Sequence, residues 1–197
     1  METDFQATSH LYWIAALVTA LIDIGLVALL VWRVKPERFR KLQWSLVIVS
    51  TIFWTVLWYA VMWDAFVWET SFNYIFQPWQ RWIWPPVFGL ISGVLTWLFW
   101  RLSLRIPGNP VLYFLLLGGL ESFVDHYFAI RHGIMETPLL QEVSIASAVT
   151  FGFFEFIFYW SAISGIAAFA SHFWKSGSYS NPQRSRRYTN RGTSHNH

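Results

Sequence analysis

Residues 11–32 read LYWIAALVTALIDIGLVALLVW, a run of 22 residues that contains one charged side chain, Asp23. A helix needs about 20 mainly apolar residues to cross the hydrocarbon core of a bilayer, so this run predicts a transmembrane helix. The preceding residues, METDFQATSH, are acidic rather than basic, and the apolar run is longer than that of a secretory signal. We therefore interpret residues 11–32 as a retained span.

The composition of the whole chain agrees with this interpretation. Hydrophobic residues make up 55% of the 197 residues and charged residues only 13%, against about 25% charged in soluble domains. The chain has no cysteine, which excludes disulfides, thiolate metal ligands and cysteine nucleophiles. It has no glycine-rich phosphate loop or dinucleotide fingerprint, and no basic surface that predicts nucleic acid as a partner. We expect an integral membrane protein whose main partner is the lipid bilayer.

Four more apolar runs reach the length of a span. The five predicted spans are residues 11–32, 44–63, 86–104, 111–130 and 144–173. Residues 1–175 should thus form one all-α domain, a polytopic bundle of five transmembrane helices. Residues 176–197 are polar, basic and without apolar periodicity, which predicts a disordered cytoplasmic tail.

The basic residues predict the orientation of the bundle. Twelve of the 14 Lys and Arg residues follow span one, span three or span five, and only Arg81 and Arg131 fall on the opposite side. Basic connections stay in the cytoplasm, so the N-terminus should lie outside and the C-terminus inside. We expect this arrangement in a bacterial plasma (inner) membrane.

Four acidic residues lie inside the predicted spans, and three of them share a depth. Asp23, Glu121 and Glu155 all fall near the middle of their spans, and Asp125 lies about one helical turn closer to the outer face. Intramembrane acids normally face protein or a water-filled cavity. The residues that share a helical face with them are small, namely Ala16, Thr19 and Ala20 in span one, Gly118 in span four, and Ser144, Ala148 and Gly152 in span five. Small residues mark close helix contacts, so spans one, four and five should meet around a carboxylate cluster.

The sequence predicts the position of this cluster more specifically than the chemistry that it performs. His126 lies about 140° around the helix from Glu121, so these two side chains can hardly bind one metal ion. The Glu-x-x-His pairs of diiron proteins and the HExxH motif are absent, and we predict no metal site and no particular cofactor. Clustered carboxylates in a low dielectric cannot all be ionised, so at least one should hold a proton near neutral pH. The candidate ligand or proton site is therefore Asp23, Glu121, Asp125, His126 and Glu155.

Glycines indicate where the helices pack. Gly89 and Gly93 form a G-x-x-x-G pair in span three, which favours either an internal contact or a homodimer. Gly118, Gly119 and Gly152 are further packing candidates. Small or polar residues on two faces of span four favour it as the central helix.

The aromatic residues of span two and those of the outer connection are interpreted differently. The tryptophans of span two, Trp54, Trp58 and Trp63, are typical of packing rather than of a cofactor site. The outer connection, residues 64–84, is too aromatic for an ordinary loop and should lie at the membrane–water interface.

Three functions remain open from these residues. The first is binding or transport of a proton, a cation or a small amphipathic ligand at the midplane acids. The second is a membrane-embedded enzyme acting on a lipid or isoprenoid substrate. The third is a structural or assembly subunit, as a homo-oligomer or within a larger membrane complex. A transporter of only five spans would need to oligomerise.

Overall fold

The computed structural model describes residues 2–62, 82–131 and 145–177, and within these ranges the chain is helical, with short turns and no strand. The all-α prediction is therefore confirmed. The six helices are α1 (Glu2–Arg33), α2 (Pro36–Arg40), α3 (Gln43–Leu57), α4 (Trp84–Ser103), α5 (Pro110–Arg131) and α6 (Ile145–Gly177). A π-helical turn, Trp58–Met62, continues α3. Residues 63–81 of the predicted outer segment and residues 178–197 of the predicted tail lie outside the described ranges.

Four helices are long and apolar enough to cross a membrane, namely α1, α3, α4 and α6. In α5 the apolar segment found among the described residues is Pro110–Val124, which is shorter. The prediction of a membrane protein is supported by these four helices. Helix α1 begins nine residues before the predicted span, at Glu2.

The ends of the helices follow from local chemistry. Pro85 lies in the first turn of α4, where a missing N–H costs little. Between α4 and α5, Gly108 has a φ of 125°, a left-handed conformation that side-chain-bearing residues rarely adopt. Asn109 then caps α5, because its Oδ1 accepts the backbone N–H of Val111 at 2.9 Å. A short turn thus joins α4 to α5.

Two helices lie in the middle of the bundle, since α6 packs against α1, α3 and α5, and α5 packs against α1, α4 and α6. The sequence favoured α5 as the central helix, and α5 shares this position with α6. The glycines of α5 serve its contact with α6: Gly118 lies against Trp160 and Gly119 against Ile157 and Phe153. Small residues on two faces of α5 permit another helix to approach closely on either side. In the structure, the close approach is chiefly to α6.

Aromatic side chains fill the space between α3, α4 and α6. Trp54 of α3 is 2% exposed, and its ring contacts Phe88 of α4 and Phe156 of α6, with centroid distances of 6.0 and 5.3 Å. Trp58 is also buried and contacts Phe88 at 4.5 Å. These two tryptophans therefore pack in the core, as expected, while Trp63 lies outside the described residues.

Candidate functional site

Asp23 lies on the buried face of α1. Ala16 and Leu30, seven residues away on either side, are buried with it, and Thr19 and Ala20 are partly buried. Helical residues seven apart share a face, so the small-residue pattern identified the correct side of α1. The Asp23 side chain is only 4% exposed. Within the part of the chain that the structure describes, neither of its carboxylate oxygens has a hydrogen-bond partner.

The buried face of α1 meets α6. At the end of this contact, the Arg38 guanidinium of α2 donates a hydrogen bond of 2.6 Å to the backbone carbonyl of Ala168. Ser161 lies seven residues before Ala168, on the same face of α6, and is 3% exposed.

The direction of Ser161 follows from its two neighbours in the chain. Trp160 faces α5 through Gly118, and Tyr159 faces α3 through Trp54. At about 100° per residue, Ser161 points about 100° away from Trp160 and about 160° from Tyr159. We infer that α1, which also packs against α6, covers Ser161.

Hydroxyl groups on α6 add to the polarity of this region. The Oγ atoms of Ser161 and Ser164 are buried, and among the described residues neither has a hydrogen-bond partner. Buried polar groups in proteins are normally hydrogen-bonded, so unpartnered groups call for an explanation such as a water molecule or an ion. The sequence does not mark these serines as site residues, because a serine in an apolar helix is usually a packing residue. Their only signal in the sequence was the i, i+3 spacing.

Glu155 is half-buried on α6 and has a partner on its own helix. The Tyr159 hydroxyl donates a hydrogen bond of 2.5 Å to Glu155 Oε1. The Tyr159 ring in turn contacts Phe53 and Trp54 of α3, at centroid distances of 5.9 and 5.5 Å. The sequence missed Tyr159, although its i, i+4 spacing from Glu155 is the spacing at which helical side chains meet.

Glu155 also lies on a different side of α6 from the α5 contact. Five residues separate it from Trp160, which places the two side chains about 140° apart around the helix. Since Trp160 packs against Gly118 of α5, Glu155 points toward the α3 side. The helices that carry Asp23, Glu121 and Glu155 do pack together, as expected, and Glu155 is on the side of α6 that faces α3. Convergence of all three on one ligand stays a prediction.

Glu121 is half-buried on α5, three residues beyond Gly118 and seven beyond the buried Phe114. Asp125 and His126 belong to the same helix, and their side chains lie outside the described residues. The remaining His, Cys, Asp and Glu side chains that the structure describes form no group of three or more able to hold a metal ion.

The glycines selected from the sequence lie at helix contacts. A Cβ atom on Gly89 would collide with the side chain of Thr55, and one on Gly93 with that of Thr51. Because the order of the contacts reverses, α3 and α4 run antiparallel. The G-x-x-x-G pair therefore serves an internal contact. A Cβ atom on Gly118 or Gly119 would likewise collide with side chains of α6, and Gly152 is buried in α6.

No match was found when the chain was compared with protein-family models, with curated proteins and with solved structures.

Proposed function

We propose that this chain is a bacterial plasma-membrane protein with five transmembrane helices, an external N-terminus and a cytoplasmic C-terminus, which binds or transports a proton, a cation or a small amphipathic ligand at its buried carboxylates. Helix α5 supplies the fifth span in this proposal. Its 22 residues correspond to about 33 Å at about 1.5 Å per residue, against a hydrocarbon core of about 30 Å.

The charges of the described connections support this orientation. Seven basic residues lie in the last turns of α1 and α4 or in the connections that follow them, and because α3 and α4 are antiparallel these positions lie at one end of the bundle. The Trp100 indole N–H of α4 donates a hydrogen bond of 3.2 Å to the Phe39 carbonyl of α2, which joins the two connections directly. The positive-inside rule assigns this basic end to the cytoplasm. The basic residues are Arg33, Lys35, Arg38, Arg40, Lys41, Arg101 and Arg105.

The observation that carries the functional proposal is the state of Asp23. A carboxyl group at the middle of a membrane helix costs about 2.5–3.5 kcal/mol on insertion scales. That cost is usually offset by a partner, yet the Asp23 oxygens have none among the described residues. A bound proton, cation or hydrogen-bonding ligand would remove the cost. The Ser161 hydroxyl is buried in α6, the helix that packs against α1, and is a further polar group available to such a ligand.

Binding can be tested with the thermal stability of the detergent-purified protein. A ligand that binds only the folded state stabilises it by RT ln(1 + [L]/Kd), about 2.7 kcal/mol at 100 Kd. The probes are Na⁺, K⁺, Mg²⁺, Ca²⁺ and a small amphipathic amine, each titrated against the wild type and Asp23→Asn. We expect one probe to raise the melting temperature of the wild type and to leave that of Asp23→Asn unchanged.

Thr19→Val is the matched control, since the Thr19 hydroxyl donates to the Ala15 carbonyl of its own helix at 2.8 Å. It should respond to the probe as the wild type does. Proton transfer is tested in liposomes that contain a pH-sensitive dye, under an imposed membrane potential. If no probe stabilises the protein and proton flux equals that of empty liposomes, the proposal is wrong.

Glu121→Gln and Glu155→Gln define how far the site extends. A response that survives both substitutions and is lost in Asp23→Asn assigns the site to the α1–α6 interface alone. A response that needs all three acids would bring them together as the sequence predicts.

A further inference from the structure

An apolar groove runs between α3 and α4 on the outside of the bundle. Its volume is about 320 Å³, at the lower end of the roughly 300–1,000 Å³ of small-molecule sites. Trp44 of α3 and Leu90 and Val94 of α4 line it and are 62–67% exposed in the chain. These side chains therefore face the lipid if the helices cross the membrane.

The floor of the groove exists because the two helices approach so closely. Gly93 has no side chain and lies against Thr51, which also lines the groove. The Thr51 hydroxyl donates to the Val47 carbonyl of its own helix at 2.9 Å, so its hydrogen is not directed at an occupant. The groove thus offers an apolar channel, which suits a hydrocarbon chain.

One end of the groove carries positive charge. Leu90, Val94 and Trp97 follow one face of α4 into the groove, and Arg101 is the next residue on that face, four beyond Trp97. The Arg101 guanidinium lies 4.9 Å from the centroid of the Trp97 ring, so the cation stands at the rim. It lies at the basic end of the bundle.

The other charges near this rim come from the α2–α3 connection. Lys41 is exposed and precedes Trp44, which lines the groove, by three residues. Arg40 lies beside Lys41, and Arg105 follows α4. Glu37, in the first turn of α2, is the one acidic residue in the described parts of these connections. The rim is therefore strongly cationic.

We propose that this groove binds an anionic phospholipid from the leaflet at the basic end of the bundle, with an acyl chain along Gly93 and the phosphate held by Arg101 and Lys41. Basic pockets between transmembrane helices are typical sites for anionic headgroups. The Trp97 ring positions the Arg101 guanidinium beside the groove, where it can meet a lipid phosphate. This inference requires that the helices span a membrane and is independent of the Asp23 site.

The test is native mass spectrometry of the detergent-purified protein with added dioleoyl phosphatidylglycerol or dioleoyl phosphatidylcholine, which have the same acyl chains. The wild type should retain phosphatidylglycerol in preference to phosphatidylcholine. Arg101→Gln should lower phosphatidylglycerol binding by about fivefold, the effect of one cation at an anionic lipid surface, and lower phosphatidylcholine binding less, because the choline ammonium already offsets the charge of its phosphate.

Arg33→Gln is the matched control. Arg33 also stacks on a tryptophan, with its guanidinium 4.4 Å from the Trp32 centroid, but it ends α1 and does not border the groove. It should bind phosphatidylglycerol as the wild type does. Equal losses in Arg33→Gln and Arg101→Gln would indicate a diffuse charge effect and overturn the proposal.

A second variant tests the groove itself. Val94→Trp fills it from an exposed position, so the fold should be preserved, and both lipids should be lost. Retention of phosphatidylglycerol by Val94→Trp would overturn the proposal. So would a wild-type dimer that binds no lipid and that Val94→Trp converts to a monomer, because a second copy would then occupy the groove. Asp23→Asn should bind lipid normally, so failure of the proposed function leaves this result intact.

Discussion

Asp23 places a carboxyl group at a buried position where a leucine would make the protein more stable. Its neighbours on the face, Ala16 and Leu30, are apolar and buried, and nothing among the described residues bonds its oxygens. A residue that lowers the stability of a helix contact without a visible compensation is typical of a functional position.

Asp23→Leu should therefore increase the free energy of unfolding of the detergent-purified protein. The expected gain is up to about 3 kcal/mol, the difference between aspartate and leucine at the centre of a membrane helix. The measurement is unfolding by increasing SDS fraction, followed by circular dichroism. Thr19→Val controls for the loss of a polar group on the same face. A loss of stability in Asp23→Leu would contradict the prediction, because it would show that the purified protein retains a partner for the carboxylate.

Single residues were predictable to different degrees. The inward direction of Asp23 could be predicted because small residues at helical spacing define a face of α1. The direction of Glu155 could not, since small residues flank it while its hydrogen-bond partner, Tyr159, lies on the side of α3. That outcome depends on which helix packs beside Tyr159, and this is a property of the tertiary structure.

Between elements, the closest approach described is that of α5 to α6 at Gly118. A Cβ atom there would overlap the indole ring of Trp160. That ring is fully buried and held by the rings of Phe99 and Phe114, at centroid distances of 5.8 and 5.3 Å, so it cannot move aside. The contact therefore requires glycine.

Gly118→Ala should lower the free energy of unfolding by about 1–3 kcal/mol, the usual cost of overpacking a core. Gly165→Ala is the matched control in the same pair of helices, because a Cβ atom at Gly165 meets nothing within 4 Å. It should be neutral or stabilising by up to about 1 kcal/mol, since alanine favours helix over glycine. SDS unfolding of both variants gives the comparison, and equal effects would show that Trp160 yields to the added methyl group.

The glycine pattern predicted close contacts at the element scale without identifying their partners. For Gly89 and Gly93, an internal contact and a homodimer were equally compatible with the sequence. A pair of glycines reports only that some backbone or side chain approaches, and here it is Thr55 and Thr51 of α3.

For the whole molecule, the apolar content and the lengths of the runs were enough to predict a helical membrane protein. A bilayer permits few solutions, because every backbone polar group in it must be satisfied within the protein. The orientation depends instead on the membrane potential and the insertion machinery acting on Lys and Arg, and these forces leave no trace in the contacts between helices.

The topology is testable because the chain has no native cysteine. Ser9→Cys and Ser178→Cys place one thiol before the first predicted span, residues 11–32, and one after α6. In intact cells, a membrane-impermeant maleimide should label Ser9→Cys alone, and Ser178→Cys should react only after the membrane is permeabilised. Labelling of both thiols from the same side would require an even number of spans and would contradict the five-span proposal.

The central position of α6 has a consequence for biosynthesis. It is the last of the six helices to leave the ribosome, about 90 residues after α3 ends, yet α1, α3 and α5 all pack against it. At a synthesis rate of about 5–20 residues per second, roughly 4–18 s pass between the end of α3 and the start of α6. During that interval the earlier helices, with Asp23 among them, sit beside lipid or an insertase. A nascent chain that stops before α6 would expose these surfaces to membrane proteases. We therefore expect truncated chains that lack α6 to be degraded.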